Sequence, residues 1–156
     1  MIRRNAWGLR TGSVRRSMAL IADDAASKKV DVSVEMPENM PPVTVDKDQI
    51  TQVLLNIALN GLDAMQHGGK LAIRCFMDDE RRSIIVEIED TGHGISEEDM
   101  PRIFDPFYTT KKTGTGLGLA IAHRIIDNHG GTLSVKNTGG SGTTLRITVP
   151  AHRENE

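Results

Sequence analysis

The sequence predicts an α+β fold: a two-layer α/β sandwich in which about three helices cover one face of a mixed sheet of about five to seven strands. Some segments repeat apolar residues at helical spacing, whereas others alternate apolar and polar residues as half-buried strands do. The strands also follow one another in pairs instead of alternating regularly with helices. That order is typical of α+β proteins.

At 156 residues, the chain is long enough for one domain with a sizeable core. Its net charge of −2 gives no general attraction to nucleic acid. The lone cysteine, Cys75, excludes an internal disulfide and a multi-cysteine zinc site. Since no apolar run approaches a membrane span and no signal-peptide pattern opens the chain, we expect a cytoplasmic domain without membrane contact. A membrane anchor elsewhere in a parent protein is compatible with this expectation.

The N-terminal part contains one predicted helix and two predicted strands. Residues 1–12 lack periodicity and are interpreted as a linker or the remnant of a connection, with a basic contact surface as the alternative. Residues 13–28 repeat apolar side chains at helical intervals, so they predict an amphipathic helix. Residues 30–36 alternate strictly and predict a half-buried strand, and after a proline-rich loop residues 43–45 predict a short edge strand.

The next helix is predicted to begin at Asp46, which resembles a capping box with Gln49, and to end at Gly68. It is apolar almost all round, and such helices are normally buried. One narrow stripe is polar, because five side chains recur every three or four residues: Gln52, Asn56, Asn60, Asp63 and His67. This stripe indicates either a satisfied structural network or a polar cavity for water, a metal ion or a ligand.

The rest of the chain predicts four strands, a short helical turn and a helix. The strands are residues 70–77, 83–89, 132–136 and 144–149. Ser96 and Asp99 form a second capping box before a turn at residues 100–103, and the helix covers residues 120–128. The predicted domain is therefore residues 13–150, followed by a tail at 151–156.

Two glycine-rich segments are candidates for ligand chemistry. Residues 114–118 (GTGLG) precede a helix, where glycines and the helix N-terminus favour bound phosphate, although a flexible surface loop would also explain them. Residues 90–94 (DTGHG) follow a strand, where Asp90 can accept a hydrogen bond from an exocyclic amine such as that of adenine. A tight turn capped by Asp90 is the alternative. The histidines show no metal-site spacing, and no nucleophilic triad can be argued.

Four segments together resemble a known family. In chain order they are Asn56 with Asn60, residues 90–94, residues 104–107 (FDPF) and residues 114–119 (GTGLGL). They are similar to the N, G1, F and G2 boxes of the ATP-binding catalytic domain of sensor histidine kinases, in the GHKL superfamily. The resemblance covers residues 13–150, and residues 104–111 look particularly like the nitrogen-regulation type.

The resemblance implies roles for individual residues. Asn60 would coordinate Mg²⁺, supported by Asn56, while Asp63 and Ala64 would face the same pocket. Asp90 would read adenine with help from Thr143 through water. The other implied nucleotide-binding residues belong to the adenine pocket, the mobile ATP lid (residues 96–115) and the phosphate loop: Gly92, Gly94, Ile95, Phe107, Lys111, Gly114, Thr115, Gly116, Leu117, Gly118 and Leu119.

The implied function is binding of Mg-ATP for transfer of the γ-phosphoryl group to a histidine. No histidine of this chain is followed by an acidic residue in a suitable helix, so the acceptor is expected on a separate dimerisation domain. We expect a monomeric isolated domain, a homodimeric parent kinase and an indirect response-regulator partner. The alternatives are a GHKL-type ATPase, which would need a glutamate where Asn56 stands, an anti-sigma-type serine kinase, and a non-catalytic nucleotide-binding interaction module.

Overall fold

The computed structural model describes residues 5–8, 11–109 and 116–151. Seven strands and four α-helices follow in chain order: β1 (Asn5–Gly8), α1 (Thr11–Ala19), α2 (Ala22–Ser27), β2 (Val30–Glu35), β3 (Pro42–Val45), α3 (Lys47–Asp63), β4 (Gly69–Asp78), β5 (Ser83–Asp90), α4 (Gly118–Asn128), β6 (Thr132–Gly139) and β7 (Gly142–Pro150). A single 3₁₀ turn at Met100–Arg102 follows β5, as the second capping box predicts.

The main sheet has five strands in the order β2-β4-β5-β7-β6. β2 runs parallel to β4, and the other neighbouring pairs are antiparallel. One face carries the apolar side chains that meet the helices in a single core, including Ile84, Val86 and Ile88 of β5. The predicted α+β fold with a mixed sheet is therefore confirmed.

The opposite face of the sheet is held by ion pairs. The Glu87 carboxylate accepts hydrogen bonds from Arg146 Nη2 at 2.9 Å and from Lys136 Nζ, whose distance to Glu87 Oε2 is 3.0 Å. Burial alone would raise the pKa of Glu87, but the hydrogen bonds and charges of Lys136 and Arg146 outweigh it and lower that pKa. These contacts connect β5 to β6 and β7.

The predicted helix at residues 13–28 is wrong in its continuity, because α1 and α2 are separated at Leu20 and Ile21. The Leu20 N–H bonds to Ser17 O and the Ile21 N–H to Met18 O, which tightens the chain into a three-residue turn. Ile21 is 2% exposed and Leu20 is 69% exposed. The break between the two helices directs the Ile21 side chain into the core. The sequence has no glycine or proline at this break.

A second, two-stranded sheet pairs β1 with β3 in antiparallel register, from Asn5 opposite Val45 to Gly8 opposite Pro42. The predicted edge strand at residues 43–45 is confirmed, and Val43 and Val45 are buried. β1 lies inside residues 1–12, where no element is predicted. A four-residue strand is too short for its side-chain alternation to show in the sequence.

Helix α3 begins where the sequence predicts and ends earlier. Asp46 caps it, since its side chain accepts hydrogen bonds from the N–H groups of Asp48 and Gln49. The reciprocal half of the capping box is missing, because Gln49 Oε1 is buried with no partner among the described residues. The helix ends at Asp63 rather than at Gly68, since the chain must turn there for Gly69 to start β4 beside Val30.

Helix α4 begins at Gly118 rather than at the predicted Ala120. Its residues Ala122, Ile125 and Ile126 face the core, as the spacing predicts. Strands β6 and β7 extend to Gly139 and from Gly142, so their turn is shorter than the predicted residues 137–142. Within the described ranges, no helix combines the length and apolarity that crossing a bilayer requires.

Candidate functional site

The polar stripe of α3 lies at the border of the core, so the prediction of a helix buried almost all round is wrong. Asn56, Asn60 and Asp63 are half-buried, and Gln52 is exposed. The apolar residues of α3 that are buried occupy the other side of the helix, from Ile50 through Leu54 to Leu62. The stripe therefore opens towards a solvent-accessible region, where a ligand can reach the amides.

Asn56 joins α3 to the beginning of α4. Its side-chain Nδ2 donates a hydrogen bond to the backbone oxygen of Gly118 at 3.1 Å. This contact places the predicted N box beside the last residues of the predicted G2 box, although 62 positions separate them in the sequence. The α3–α4 boundary is therefore the place where these two segments meet.

The Asp63 carboxylate forms an ion pair with Lys28. Lys28 Nζ lies 2.9 Å from Asp63 Oδ1, and the two side chains are 32% and 43% exposed. Lys28 is the C-cap residue of α2, so the pair ties the end of α2 to the last turn of α3. In this structure Asp63 is thus engaged in an interhelical contact, and the sequence contains no spacing that predicts its partner.

Ala64 and Gly92 bring the end of α3 against the loop after β5. The His93 N–H donates to Ala64 O at 3.3 Å. A Cβ atom at Gly92 would lie 2.5 Å from Ala64 O, a distance that real Cβ atoms do not reach. Glycine is therefore required at position 92 for this close approach.

Asp90 is the buried carboxylate of the site, at 8% exposure. Its Oδ1 accepts a hydrogen bond from the Gly92 N–H at 2.9 Å. Burial raises its pKa, although backbone hydrogen bonds from Gly92 and Thr143 act in the opposite direction. Gly61 of α3 backs the carboxyl group, since a Cβ there would lie 3.6 Å from Asp90 Oδ2.

Thr143 stands directly opposite Asp90 in the β5–β7 register, and both side chains are buried. The end of β6 and the β6–β7 turn contact the loop after β5 on the side away from α3. Ile95 donates its N–H to Thr138 Oγ1 at 2.7 Å. Gly94, at φ 79°, packs so closely on Gly139 that a Cβ would lie 2.0 Å from Gly139 O. The loop 91–95 is thus fixed between α3 and the β6–β7 turn.

Phe107 and Gly116 are in backbone contact across the predicted lid, and we call this contact the lid neck. The Phe107 N–H donates to Gly116 O at 2.9 Å, and both residues adopt the left-handed conformation, at φ 68° and 72°. The Phe107 side chain is 74% exposed and faces solvent, so its predicted contact with nucleotide stays a prediction. Lys111, Gly114 and Thr115, which the resemblance places at the phosphates, lie outside the described residues.

Residues 99–108, the first part of the predicted lid, make side-chain contacts that the sequence does not predict. Tyr108 donates its hydroxyl to Asp99, and the Arg102 guanidinium lies 5.8 Å from the Tyr108 ring centroid. This hydrogen bond lowers the pKa of Asp99 and raises that of Tyr108. Phe104 stacks on His123 of α4 with ring centroids 4.8 Å apart. Contacts within residues 99–108 therefore stabilise this segment, and the Phe104–His123 stacking connects it to α4.

The segment Gly116 to Leu119 leads from the lid neck into α4. Leu117 is the N-cap residue, and no side chain in the described part of the protein caps the helix there. Gly118 and Leu119 form the first turn. Backbone N–H groups at an uncapped helix start can bind an anion, so this end of α4 has the chemistry of a phosphate site.

Comparison with known sequences agrees with this arrangement. The sequence model of the histidine kinase-, DNA gyrase B-, and HSP90-like ATPases matches residues 45–153. Sensor histidine kinase ZraS of Escherichia coli K12 is 33% identical over 139 residues, which cover 89% of this chain and 30% of ZraS. The chain thus spans less than a third of the length of this relative.

Solved structures give the same result. The catalytic domain of histidine kinase ThkA matches with a TM-score of 0.81 and 30% identity, over 96% of both chains. ThkA in complex with the response regulator TrrA matches with a TM-score of 0.80 and 26% identity, over 99% of this chain and 44% of that one. Full-length ShkA in complex with AMPPNP has a TM-score of 0.84 at 24% identity, over 97% of this chain and 32% of ShkA, and so shares the fold. The chain belongs to the histidine kinase-, DNA gyrase B- and HSP90-like ATPases and is homologous to the catalytic domains of sensor histidine kinases.

Proposed function

We propose that the chain binds Mg-ATP between α3, the end of β5 and the beginning of α4. The observation that carries this proposal is the buried Asp90 carboxylate, which lies at a strand end, accepts a hydrogen bond from the Gly92 N–H and faces a loop cleared by glycines. Burying a carboxylate costs free energy unless it is paired or hydrogen-bonded, and a ligand donor would add such a hydrogen bond to Asp90. The AMPPNP bound to ShkA supports a nucleotide as the ligand.

The adenine end is the pocket around Asp90. An ionised carboxylate only accepts hydrogen bonds, so it suits the exocyclic amine of adenine. Thr143 lies opposite and supplies a hydroxyl. Gly92, Gly94 and Ile95 fix the loop that would cover the ring, because Gly92 packs on Ala64 and Ile95 is hydrogen-bonded to Thr138.

The phosphate end is the α3–α4 boundary. The Asn60 side-chain oxygen is a hard ligand that suits Mg²⁺, an ion that keeps several waters and takes few protein ligands. The described residues hold no group of three His, Cys, Asp or Glu side chains that could bind a metal ion on their own. With Asn60 as a ligand, a magnesium ion would take its remaining ligands from water and the nucleotide. Gly116, Leu117, Gly118 and Leu119 would offer backbone N–H groups to the phosphates. Lys111 would neutralise phosphate charge from the lid, next to Gly114 and Thr115 of the same loop.

The bound magnesium ion would neutralise phosphate charge. The chain's own contribution is to hold the nucleotide by Asp90 and the helix start, exclude water with the lid, and leave the γ-phosphoryl group open for in-line transfer. We propose that the acceptor is a histidine on a separate dimerisation domain. The complex of ThkA with TrrA supports a response regulator as the downstream partner. We also propose that the domain acts in the cytoplasm, where ATP is available. Its assignment to the nitrogen-regulation type of sensor kinase stays a prediction.

Asn56 disfavours the ATPase alternative. A hydrolase of this superfamily is expected to carry a glutamate there as the base for water. Asn56 cannot act as a base, and its amide donates to Gly118 O. A glutamate could not make this bond, because an ionised carboxylate has no proton to donate.

The direct experiment mixes the chain with the separately produced two-helix histidine domain of its parent protein and γ-labelled Mg-ATP. We expect an acid-labile, base-stable phosphoryl label on the histidine domain and none on the chain itself. Asp90→Asn should abolish labelling, while Thr132→Val, at an exposed position of β6, should not. Steady release of inorganic phosphate without labelled histidine would contradict the proposed transfer.

A further inference from the structure

Thr138, near the end of β6, connects the loop after β5 to Thr143 and is not among the residues that the sequence assigns to the site. Its Oγ1 accepts the Ile95 N–H at 2.7 Å and lies 3.0 Å from Thr143 Oγ1. Thr143 in turn stands opposite the buried Asp90. A chain of polar groups therefore runs from the backbone of Ile95 to the centre of the proposed adenine pocket.

The direction of this chain follows from the donors available. A backbone N–H can only donate, so one lone pair of Thr138 Oγ1 is occupied by Ile95. Accepting that bond polarises the Thr138 hydroxyl and makes it a better donor. The bond between the two threonines is thus favoured with Thr138 donating and Thr143 accepting. The hydroxyl proton of Thr143 is then left to point into the pocket.

We propose that Thr138 is a positioning residue that sets the hydroxyl of Thr143 as a donor and thereby selects 6-aminopurines over 6-oxopurines. This inference rests on the proposed binding of ATP. Adenine presents an amine donor at C6 and a neighbouring acceptor at N1, which complement the Asp90 carboxylate and a Thr143 donor. A 6-oxopurine presents the reverse pattern, an acceptor at C6 and an N1–H donor.

The same selection holds if one water lies between Thr143 and the ring. A water that accepts the Thr143 proton keeps both of its own protons for the purine N1 and the Asp90 carboxylate. If the direction were reversed, one of those protons would be used on Thr143. In either case Thr138 acts through Thr143 and does not itself contact the purine.

The test compares the dissociation constants for Mg-ATP and Mg-ITP, which differ only at C6 and N1 of the purine. Wild-type protein should prefer ATP. Thr138→Val should lower the ATP-to-ITP preference by about fivefold, the effect of one hydrogen bond, and Thr138→Ser should restore it. Thr132→Val on the same strand is the matched control. In a Thr143→Val background, Thr138→Val should change the preference no further, because the two residues act as one unit.

The outcomes separate this inference from the proposed function. If wild-type protein binds no ATP, the proposed function fails. If it binds ATP and Thr138→Val weakens ATP and ITP equally, Thr138 only supports the loop and the inference is overturned. Thermal melts of each variant without nucleotide show whether it is folded, and Thr138→Ser keeps the test decisive if the valine variant is not.

Discussion

Asp90→Asn separates the binding of nucleotide from the stability of the domain. Burial raises the pKa of Asp90, so the folded state holds the protonated carboxyl more firmly than the unfolded state does. Its contribution to stability is therefore present at low pH and lost as the pH rises through the folded-state pKa. At neutral pH the ionised carboxylate costs the folded state free energy. A neutral asparagine avoids that cost and still offers an oxygen to the Gly92 N–H.

The expected loss of binding can be worked out from the proposed contact. A hydrogen bond to a charged group contributes about 1.5–3 kcal/mol, so its loss should weaken ATP binding by about 10- to 150-fold. At ATP about 100 times above the wild-type Kd, the ligand stabilises the folded state by about 2.7 kcal/mol. For a domain of this size, that raises Tm by about 5–10 °C. With affinity lowered about a hundredfold, the shift falls to about 1 °C.

The assay is a pair of thermal melts for each protein, with and without millimolar Mg-ATP at pH 7.5. Wild-type protein should show the full shift, and Asp90→Asn should show almost none from a nucleotide-free Tm equal to or above that of the wild type. Glu87→Gln serves as a charge-matched control at the other face of the sheet and should retain the shift. An Asp90→Asn variant that keeps the wild-type shift would refute the role of this carboxylate.

Three further substitutions test other parts of the structure. Asn56→Glu should introduce release of inorganic phosphate from Mg-ATP, whereas Asn56→Gln should not; no gain in a phosphate-release assay would contradict the role given to this position. Gly61→Ala should raise the unfolding free energy by less than the helix-propensity gain of about 1 kcal/mol, because the new Cβ would lie 3.1 Å from the buried Leu71 Cδ1. A denaturant titration showing the full gain would mean that Leu71 yields freely. Since Lys136 and Arg146 lower the pKa of Glu87, its stabilising contribution is present above the ordinary glutamate pKa and should be lost as the pH falls through the lowered folded-state pKa. Acid titration of Glu87→Gln should therefore be less steep than that of the wild type, and identical profiles would exclude this source of acid sensitivity.

The periodic parts of the fold could be predicted because burial imposes a pattern on the sequence. The alternation in β5 and the spacing of Ile125 and Ile126 in α4 both come from one buried face. The break between α1 and α2 has no such signal, since Leu20 and Ile21 look alike in sequence and differ only in which one the core accepts. β1 likewise depends on β3 as a distant partner.

The candidate site could be proposed from the sequence where the resemblance and the chemistry ask for a particular residue type. The structure shows the buried Asp90 carboxylate and the close backbone approaches at Gly92 and Gly94, while the role of Asn60 as a magnesium ligand stays a prediction. Side-chain contacts between residues that only the tertiary fold brings together could not be predicted. Lys28 reaches Asp63 and Thr138 reaches Ile95 across long separations, and neither pair leaves a spacing that could be read from one sequence.

Magnesium-dependent binding of ATP by this chain is tested most directly by a calorimetric titration. Wild-type protein is titrated with ATP in excess Mg²⁺ and again in EDTA, and Asn60→Ala is measured in the same two conditions. We predict saturable one-to-one binding that weakens sharply in EDTA for the wild type, and weak binding that is insensitive to Mg²⁺ for Asn60→Ala. Absence of saturable binding by the wild type at millimolar Mg-ATP would contradict the account.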